Sequence, residues 1–507
     1  MTNSSKQTIA VIGAGTMGRG IVQLFAQSGY RVKFFDNSAT AVAAAHTFVS
    51  DMFNNKVAKG RISQQQADAA IKNLCPCNEL KAIADCDMVV EAIIEDLHIK
   101  QSLFAELEAT VPPDTLLASN TSSLLIADIA AKCQHPERVA GLHFFNPVPV
   151  MKVVEIISSV KTAAATASQL KTLIEATGHR AVQALDQPGF LINHAGRGLY
   201  TEGLRILEEQ AASHDQIDRL MREAADFRMG PFELLDLTGL DVSAKVMQSI
   251  YEQFQGEPRF RPSSLVPPRV SAGLYGRKSG AGWYQYEGNQ KLEPKEFKPK
   301  SCSVKNCKVW IEPAAKHGEE LAILAKQAGA EVVQSHLDAS LLLIQPWGID
   351  ATQACIDLSI DASRCVAIDP LPELGKRRTL MLTPVTSTEA RDQAAVILSA
   401  DKTAISIIKD SPGFVTQRIL AMIVNIGADI AQRGIASPSD IDDAVRIGLG
   451  YPQGPLTLGD SIGSENIMQI LAGLQRVTGD PRYRPSHWLR RRVQLGQSLL
   501  TPATSRQ

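Results

Sequence analysis

Residues 7 to about 185 alternate short β-branched apolar runs with longer stretches in which apolar residues recur every three or four positions. That switch between strand and helix periods predicts a parallel sheet covered by helices on both faces, an α/β doubly wound domain. Candidate strands are Ile9–Ile12, Val32–Phe35, Met88–Val90, Leu116–Ala118, Val139–Phe144 and Val153–Ile157. From about residue 186 the pattern turns helical, as in Ile217–Ala225 and Phe232–Val242. Lys291–Lys300 is rich in Lys, Glu and Pro without an apolar period, the composition of a linker. Strand-like runs then return at Val309–Ile311, Glu331–Val333, Leu341–Ile344, Cys365–Ile368 and Leu380–Leu382.

The chain also repeats itself. Asp186-Gln187-Pro188-Gly189-Phe190 recurs as Asp410-Ser411-Pro412-Gly413-Phe414, and at the same offset Met229-Gly230-Pro231 faces Gln453-Gly454-Pro455. Arg138–Leu142 likewise resembles Arg364–Ile368. The whole reads as two copies of one α/β-plus-helical module. The expected domains are a doubly wound unit at 1–185, an all-α unit at 186–290, a linker at 291–302, a reduced α/β unit at 303–405 and a second all-α unit at 406–507.

Composition narrows the function classes. The 507 residues, 44% of them apolar, are enough for sizeable cores. Lys plus Arg number 52 against 53 Asp plus Glu, a net charge of −1 that gives no global field for nucleic acid or anionic membrane. Eight scattered cysteines do not make a disulfide scaffold and suit a reducing cytoplasm. Cys75-Pro76-Cys77 has no second pair or His cluster at ligand spacing, so no metal site is expected. Met1–Thr8 is polar and leads straight into a strand, leaving no room for a signal segment. No apolar run approaches the ~18 residues that span a bilayer.

Two constellations carry chemistry. Ile9–Ile12 is followed by Gly13-Ala14-Gly15-Thr16-Met17-Gly18 and an amphipathic helix, the order of a dinucleotide-binding loop. Gly13 permits the turn, Gly15 leaves space for a pyrophosphate, and Gly18 lets helix and strand approach. A second strand ends at Asp36, whose carboxylate suits ribose hydroxyls and repels a 2′-phosphate, favouring NAD over NADP. The second constellation is His143, in Gly141-Leu142-His143-Phe144-Phe145-Asn146-Pro147, with Glu155 in the next strand. Such a pair suits proton transfer, and by spacing it suits a satisfied core histidine equally well.

The Gly13–Gly18 loop, Ser119-Asn120-Thr121-Ser122-Ser123, Gly141–Pro147, Asp186–Asn193 and Gly230-Pro231-Phe232-Glu233 together resemble the L-3-hydroxyacyl-CoA dehydrogenase family, in order across residues 7 to 286. The duplicated architecture is similar to its bacterial 3-hydroxybutyryl-CoA and 3-hydroxyadipyl-CoA branch of phenylacetate degradation. The resemblance implies NAD-dependent oxidation of a 3-hydroxyacyl-CoA, with His143 as general base and Glu155 as its orienting partner. It gives Ser122 and Asn193 the substrate's C3 oxygen and thioester carbonyl. Alone, Ser122 reads equally as a capping hydroxyl and Asn193 as a helix residue bonded to backbone. Glu95, Lys100 and Asn120 join Gly13, Gly15, Thr16, Met17, Gly18 and Asp36 in the implied cofactor set, although a solvated ion pair also explains Glu95 and Lys100. Lys56 and Lys59 are candidates for the CoA phosphates, and a charged helix face is the plainer meaning of both.

The second copy departs from the pattern. Glu312–Gly318 replaces the glycine loop, Asp369 falls opposite His143, Leu380 or Met381 opposite Glu155, and Gln417 stands for Asn193. This copy is therefore expected to bind no NAD. Gly459-Asp460-Ser461-Ile462-Gly463 matches the serine-hydrolase elbow pattern but aligns with a helical segment of the repeat, and is expected to be accidental. Family members commonly dimerise through the helical domain, so a homodimer or an internal pseudo-dimer is expected. A dicarboxylyl substrate needs a distal cation, for which Arg197, Arg205, Arg222 and Arg228 are candidates. Competing readings are a dehydrogenase of small β-hydroxyacids without CoA, and a non-catalytic NAD-binding structural protein.

Overall fold

In the computed structural model, residues 7–288, 290–298, 300 and 302–503 are described. The polar start at 1–6 and positions 299 and 301 of the expected linker lie outside the described residues. Eight strands make the first sheet: β1 Thr8–Ile12, β2 Arg31–Phe35, β3 Leu74–Pro76, β4 Met88–Glu91, β5 Leu116–Ser119, β6 Val139–Phe144, β7 Val153–Ser158 and β8 Arg180–Leu185. Their order is β3-β2-β1-β4-β5-β6-β7-β8, parallel throughout except where β7 runs against β6. Ile9 and Val11 enter one core while Ala10 and Ile12 enter the core on the opposite face. Burial on both faces is why β1 reads as an unbroken apolar run. Two strands had no clear sequence signal: β3 has three residues and contains Pro76, and β8 exposes Gln183 and Leu185.

A short hairpin, β9 Tyr286–Glu287 with β10 Gln290–Lys291, takes in the first residue of the expected linker. The second sheet holds β11 Lys308–Ile311, β12 Glu331–Val333, β13 Leu341–Ile344, β14 Cys365–Ile368, β15 Arg378–Leu382 and β16 Ile405–Lys409. Its order is β12-β11-β13-β14-β15-β16, and the single antiparallel step again falls at one place, between β14 and β15. The last strand runs to Lys409, past the boundary expected at 405. In each copy an aspartate after the last strand caps the segment that follows a central one. Asp186 accepts from the amides of Ile126 and Ala127, and Asp410 from those of Ala351 and Thr352. This equates β13 with β5, so among the described residues the second sheet has no counterparts of β3, of β4 or of helix Leu97–Thr110 between β4 and β5.

The chain divides into two compact units. One runs up to His194 and includes Arg433–Leu449; the other comprises Ala195–Gln432 and Gly450 onward. Each unit thus pairs one sheet with a helix from the other copy's helical region. In the first, the amide of Leu185 on β8 donates to the carbonyl of Ile435 at 2.8 Å, beside helix Pro438–Gly448. In the second, the amide of Lys409 on β16 donates to the carbonyl of Ala211 at 2.9 Å, beside helix His214–Glu223. The donors and the acceptors are equivalent positions of the repeat, so the exchange is reciprocal. The edge strands β8 and β16 are thus each covered by the other copy.

The repeated Gly-Pro marks helix starts at Pro231 and Pro455. Pro231 has no N–H to satisfy, and the next two amides donate to the carboxylate of buried Asp218 at 3.0 and 2.9 Å. A side chain at Gly230 would run into Asp218, which is why glycine precedes the proline. Gly459–Gly463 lies along helix Pro455–Ile462 and its cap, not on a strand-to-helix turn. Elsewhere in this unit Arg418, wholly buried, donates to Glu202 at 2.5 Å and to Glu209 at 2.6 and 2.8 Å, while Tyr483 also donates to Glu202. No described helix is long and apolar enough to cross a membrane. Replacing one member of a buried ion pair strands the other charge. Arg418→Met should therefore cost about 3–5 kcal/mol in denaturant unfolding.

Candidate active site

The candidate residues collect at the C-terminal ends of the first sheet's strands, where the order reverses between β1 and β4. β1 runs into Gly13, whose φ of +104° suits glycine alone, and a Cβ there would sit 2.5 Å from the carbonyl oxygen of Ala92. A Cβ on Gly18 would lie 1.7 Å from the Gly13 carbonyl oxygen. Gly15 has nothing within 4 Å of its missing Cβ, so no protein atom demands glycine there. The space it leaves is open, and no side chain caps the helix Thr16–Gln27 that follows. Asp36, at the end of β2, is pinned by the amides of Ala14 and Ser38, both at 2.9 Å. Gly13, Gly15, Thr16, Met17 and Asp36 line one cleft of ≈ 990 Å³, with Ile93 and Ile94 among its apolar residues. An open glycine loop, an uncapped helix start and a fixed carboxylate fit a dinucleotide's pyrophosphate and adenosine ribose.

Beside this cleft a polar network joins the ends of β4 and β5. Buried Lys100 bonds to Glu91 at 2.5 Å and reaches Glu95 at 3.3 Å. Glu91 also accepts from the amide of Ile93 and the hydroxyl of Ser119. Glu95 accepts from the Thr121 hydroxyl at 2.6 Å, the Ser122 amide at 3.0 Å and the Ser123 hydroxyl at 3.0 Å. Burial pushes Glu95 up, yet the Thr121 hydroxyl, Lys100 and the Ser122 amide outweigh it and hold the carboxyl below its usual range. Lys100 is thus a buried support of the Ser122 loop, which corrects the alternative of a solvated pair. Glu91 went unnoticed in the sequence, although an acidic residue closing an apolar strand was its signal.

His143 lies in β6 directly across from Glu155 in β7. Its Nδ1 is 2.5 Å from Glu155 Oε2, and both side chains are buried. The other carboxylate oxygen accepts from the amides of Leu191 at 3.0 Å and Ile192 at 2.7 Å. Those amides follow the Pro-Gly-Phe turn, in which Phe190 takes a left-handed φ of +49° and its ring lies 5.9 Å from the imidazole. Asn193, half-buried, is the next residue on the same short helix. The side-chain oxygen of Asn120 accepts from the Phe144 amide and ties the Ser122 loop to the His143 strand. The two anchoring amides were missed because a backbone donor has no sequence signature.

The remaining candidates lie elsewhere. Lys56, in the last turn of helix Ala39–Ala58, donates to Gln27, and burial followed by the charges of Lys152 and Arg61 lowers its pKa. Lys59 is exposed just past the helix. Arg205 pairs with Asp480, Arg222 with Glu233, Arg228 is exposed, and Arg197 is buried over the Tyr200 ring. In the second copy Asp369 stands where His143 stands in the first. Its amide donates to the carbonyl of Thr379, so Thr379, not Leu380 or Met381, is the counterpart of Glu155. Gln417 donates to Asp369 at 2.9 Å and accepts from the Gly348 amide at 2.8 Å, occupying the equivalent place with side-chain hydrogen bonds.

Fold and cleft together define a dinucleotide-dependent oxidoreductase. Residues 8–187 match the family model "3-hydroxyacyl-CoA dehydrogenase, NAD binding domain", and residues 189–286 and 413–499 match "3-hydroxyacyl-CoA dehydrogenase, C-terminal domain". The chain belongs to the 3-hydroxyacyl-CoA dehydrogenase family and uses NAD. It is 38% identical over 96% of its length to the 3-hydroxyadipyl-CoA dehydrogenase of Escherichia coli K12, covering 98% of that protein. The crystal structure of a 3-hydroxybutyryl-CoA dehydrogenase from E. coli K12 superposes with a TM-score of 0.87 at 37% identity, over 97% of this chain and 99% of that one. A probable 3-hydroxybutyryl-CoA dehydrogenase of Bacillus subtilis is 37% identical over 55% of this chain and 97% of its own, a single-copy length. Asp36→Asn should weaken NADH binding by about tenfold, roughly 1.4 kcal/mol, and narrow the preference over NADPH, as read by fluorescence titration of both.

Proposed function

We propose that the chain oxidises an L-3-hydroxyacyl-CoA to the 3-oxoacyl-CoA, with His143 as the general base. The observation that carries this reading is the buried His143–Glu155 hydrogen bond at the strand ends that also bear the glycine loop. The Gly13–Gly18 loop and Asp36 would hold NAD, which would supply the acceptor for the C3 hydride. With Nδ1 committed to Glu155, Nε2 is the ring atom available for the substrate's C3 hydroxyl proton. Glu155 supports the imidazolium as that proton arrives, and its own position is held by two amides. Ser122 and Asn193 hold the C3 oxygen and thioester carbonyl, and Lys56, with Arg61 and Lys152 nearby, attracts the CoA phosphates. Lys100 and Glu91 keep the Ser122 loop in place.

The acyl group is 3-hydroxybutyryl or 3-hydroxyadipyl, as the names of the E. coli and B. subtilis relatives suggest. A place in phenylacetate breakdown is proposed from the resemblance of the duplicated architecture. The reciprocal exchange of helices favours an internal pseudo-dimer over a homodimer, because each copy already covers the other's edge strand. The five expected domains stand as a proposal about the evolutionary modules, distinct from the two compact units.

His143→Gln should retain NADH binding yet lose roughly 10²–10⁴-fold in turnover of acetoacetyl-CoA. Near-normal turnover would remove His143 from the role. Wild-type rates with 3-hydroxybutyryl-CoA and 3-hydroxyadipyl-CoA, followed by NADH absorbance, separate the two substrates. The second copy has Glu312–Gly318 in place of a glycine loop, and lacks the strand that supplies Glu91 in the first. Calorimetry should find one NAD per chain, and two would contradict this assignment.

A further inference from the structure

We infer that helix Pro438–Gly448, contributed by the degenerate copy, is a positioning element for the proton-transfer pair of the active copy, acting through Gly448 and Ile192. This rests on the His143–Glu155 reading above. The helix packs on β7 and β8. At its outer end Arg180, the first residue of β8, donates to Asp440 at 2.6 Å and Asp443 at 2.9 Å. At its inner end Gly448 lies against the site: a Cβ there would sit 2.6 Å from Ile192 Cδ1 and 3.3 Å from Val153 Cγ1. Gly448 is not among the left-handed residues, so its lack of a side chain answers to space and not to backbone conformation. Ile192 is the residue whose amide donates to Glu155 at 2.7 Å, and it immediately precedes Asn193. Val153 begins the strand that carries Glu155. The helix thus presses on both supports of the carboxylate at once.

The inert half provides an internal comparison. By the repeat offset, Gly448 corresponds to Ala224 and Ile192 to Thr416. Those two residues border a cavity of ≈ 270 Å³ in the second unit. Close contact between the helix and Ile192 accompanies the half that keeps its His–Glu pair, and a cavity borders the equivalent residues of the other half. A glycine at 448 leaves the helix end room to lie against Ile192.

The test uses the full chain. Gly448→Val should push Ile192 and lower kcat for acetoacetyl-CoA reduction by roughly tenfold to a hundredfold, since small displacements at a reacting centre cost that much. NADH affinity should not change, and the kcat–pH profile should shift because the carboxylate behind the imidazole is less firmly held. Adding Ile192→Ala restores space and should recover most of kcat. Should the valine variant fail to fold, Asp440→Asn with Asp443→Asn loosens the helix without inserting atoms, and a lower kcat with a shifted pH profile is expected. An unchanged pH profile, a loss of NADH binding in step with kcat, or no recovery on adding Ile192→Ala would overturn the inference. His143→Gln is assayed beside them: if it stays active the general-base reading fails, whereas an inactive His143→Gln with normal Gly448→Val removes only the role of the helix.

Discussion

Glu155 is the joint on which the site turns. One oxygen meets the imidazole of His143, and the other takes the amides of Leu191 and Ile192. A buried carboxylate left with unfilled lone pairs is costly, so these three hydrogen bonds set the geometry of three chain segments together. They fix the ring's orientation, the seat of β7 beside β6, and the start of the short helix that presents Asn193. The left-handed turn at Gly189 and Phe190 is what aims those amides inward.

Duplication altered what each copy must do by itself. In both sheets the final strand is an edge whose free amide is taken by a carbonyl of the other copy. Neither module is complete without that exchange, which explains why a half that lost its glycine loop and its His–Glu pair still folds as part of the same chain. Burial of Arg418 with Glu202 ties residues of both helical regions inside the second unit. Such a pair brings specificity of packing more than net stability, because desolvation offsets much of its Coulomb gain.

The second copy fills the place of the His–Glu pair with other side chains. Asp369 sits at the end of β14 as His143 sits near the end of β6, and burial raises its pKa against the hydrogen bonds of Thr416 and Gln417. Gln417 spans from Asp369 to Gly348 and satisfies polar groups within the protein itself. The first copy instead leaves His143 Nε2 without a hydrogen bond among the described residues. Around this pair the two copies differ in a few side chains on equivalent strands, and beyond it in the six strands of the second sheet against the eight of the first.

Much of this was legible beforehand. Uninterrupted apolar runs announced the central strands because those strands are buried on both faces, and the glycine loop with Asp36 announced the cofactor because each residue answers a local steric or charge demand. The repeat of Asp-x-Pro-Gly-Phe revealed the duplication. Short or half-exposed strands such as β3 and β8 escaped, since three residues or an alternating edge carry too little apolar signal. Sequence alone therefore determined the architecture class and the cofactor loop, and singled out His143 and Glu155 as a candidate pair. Only the tertiary structure decided that Lys100 is a buried support, that Thr379 opposes Asp369, and that each copy lends a helix to the other, because these follow from contacts between residues far apart in the chain and from backbone amides that look alike at every position.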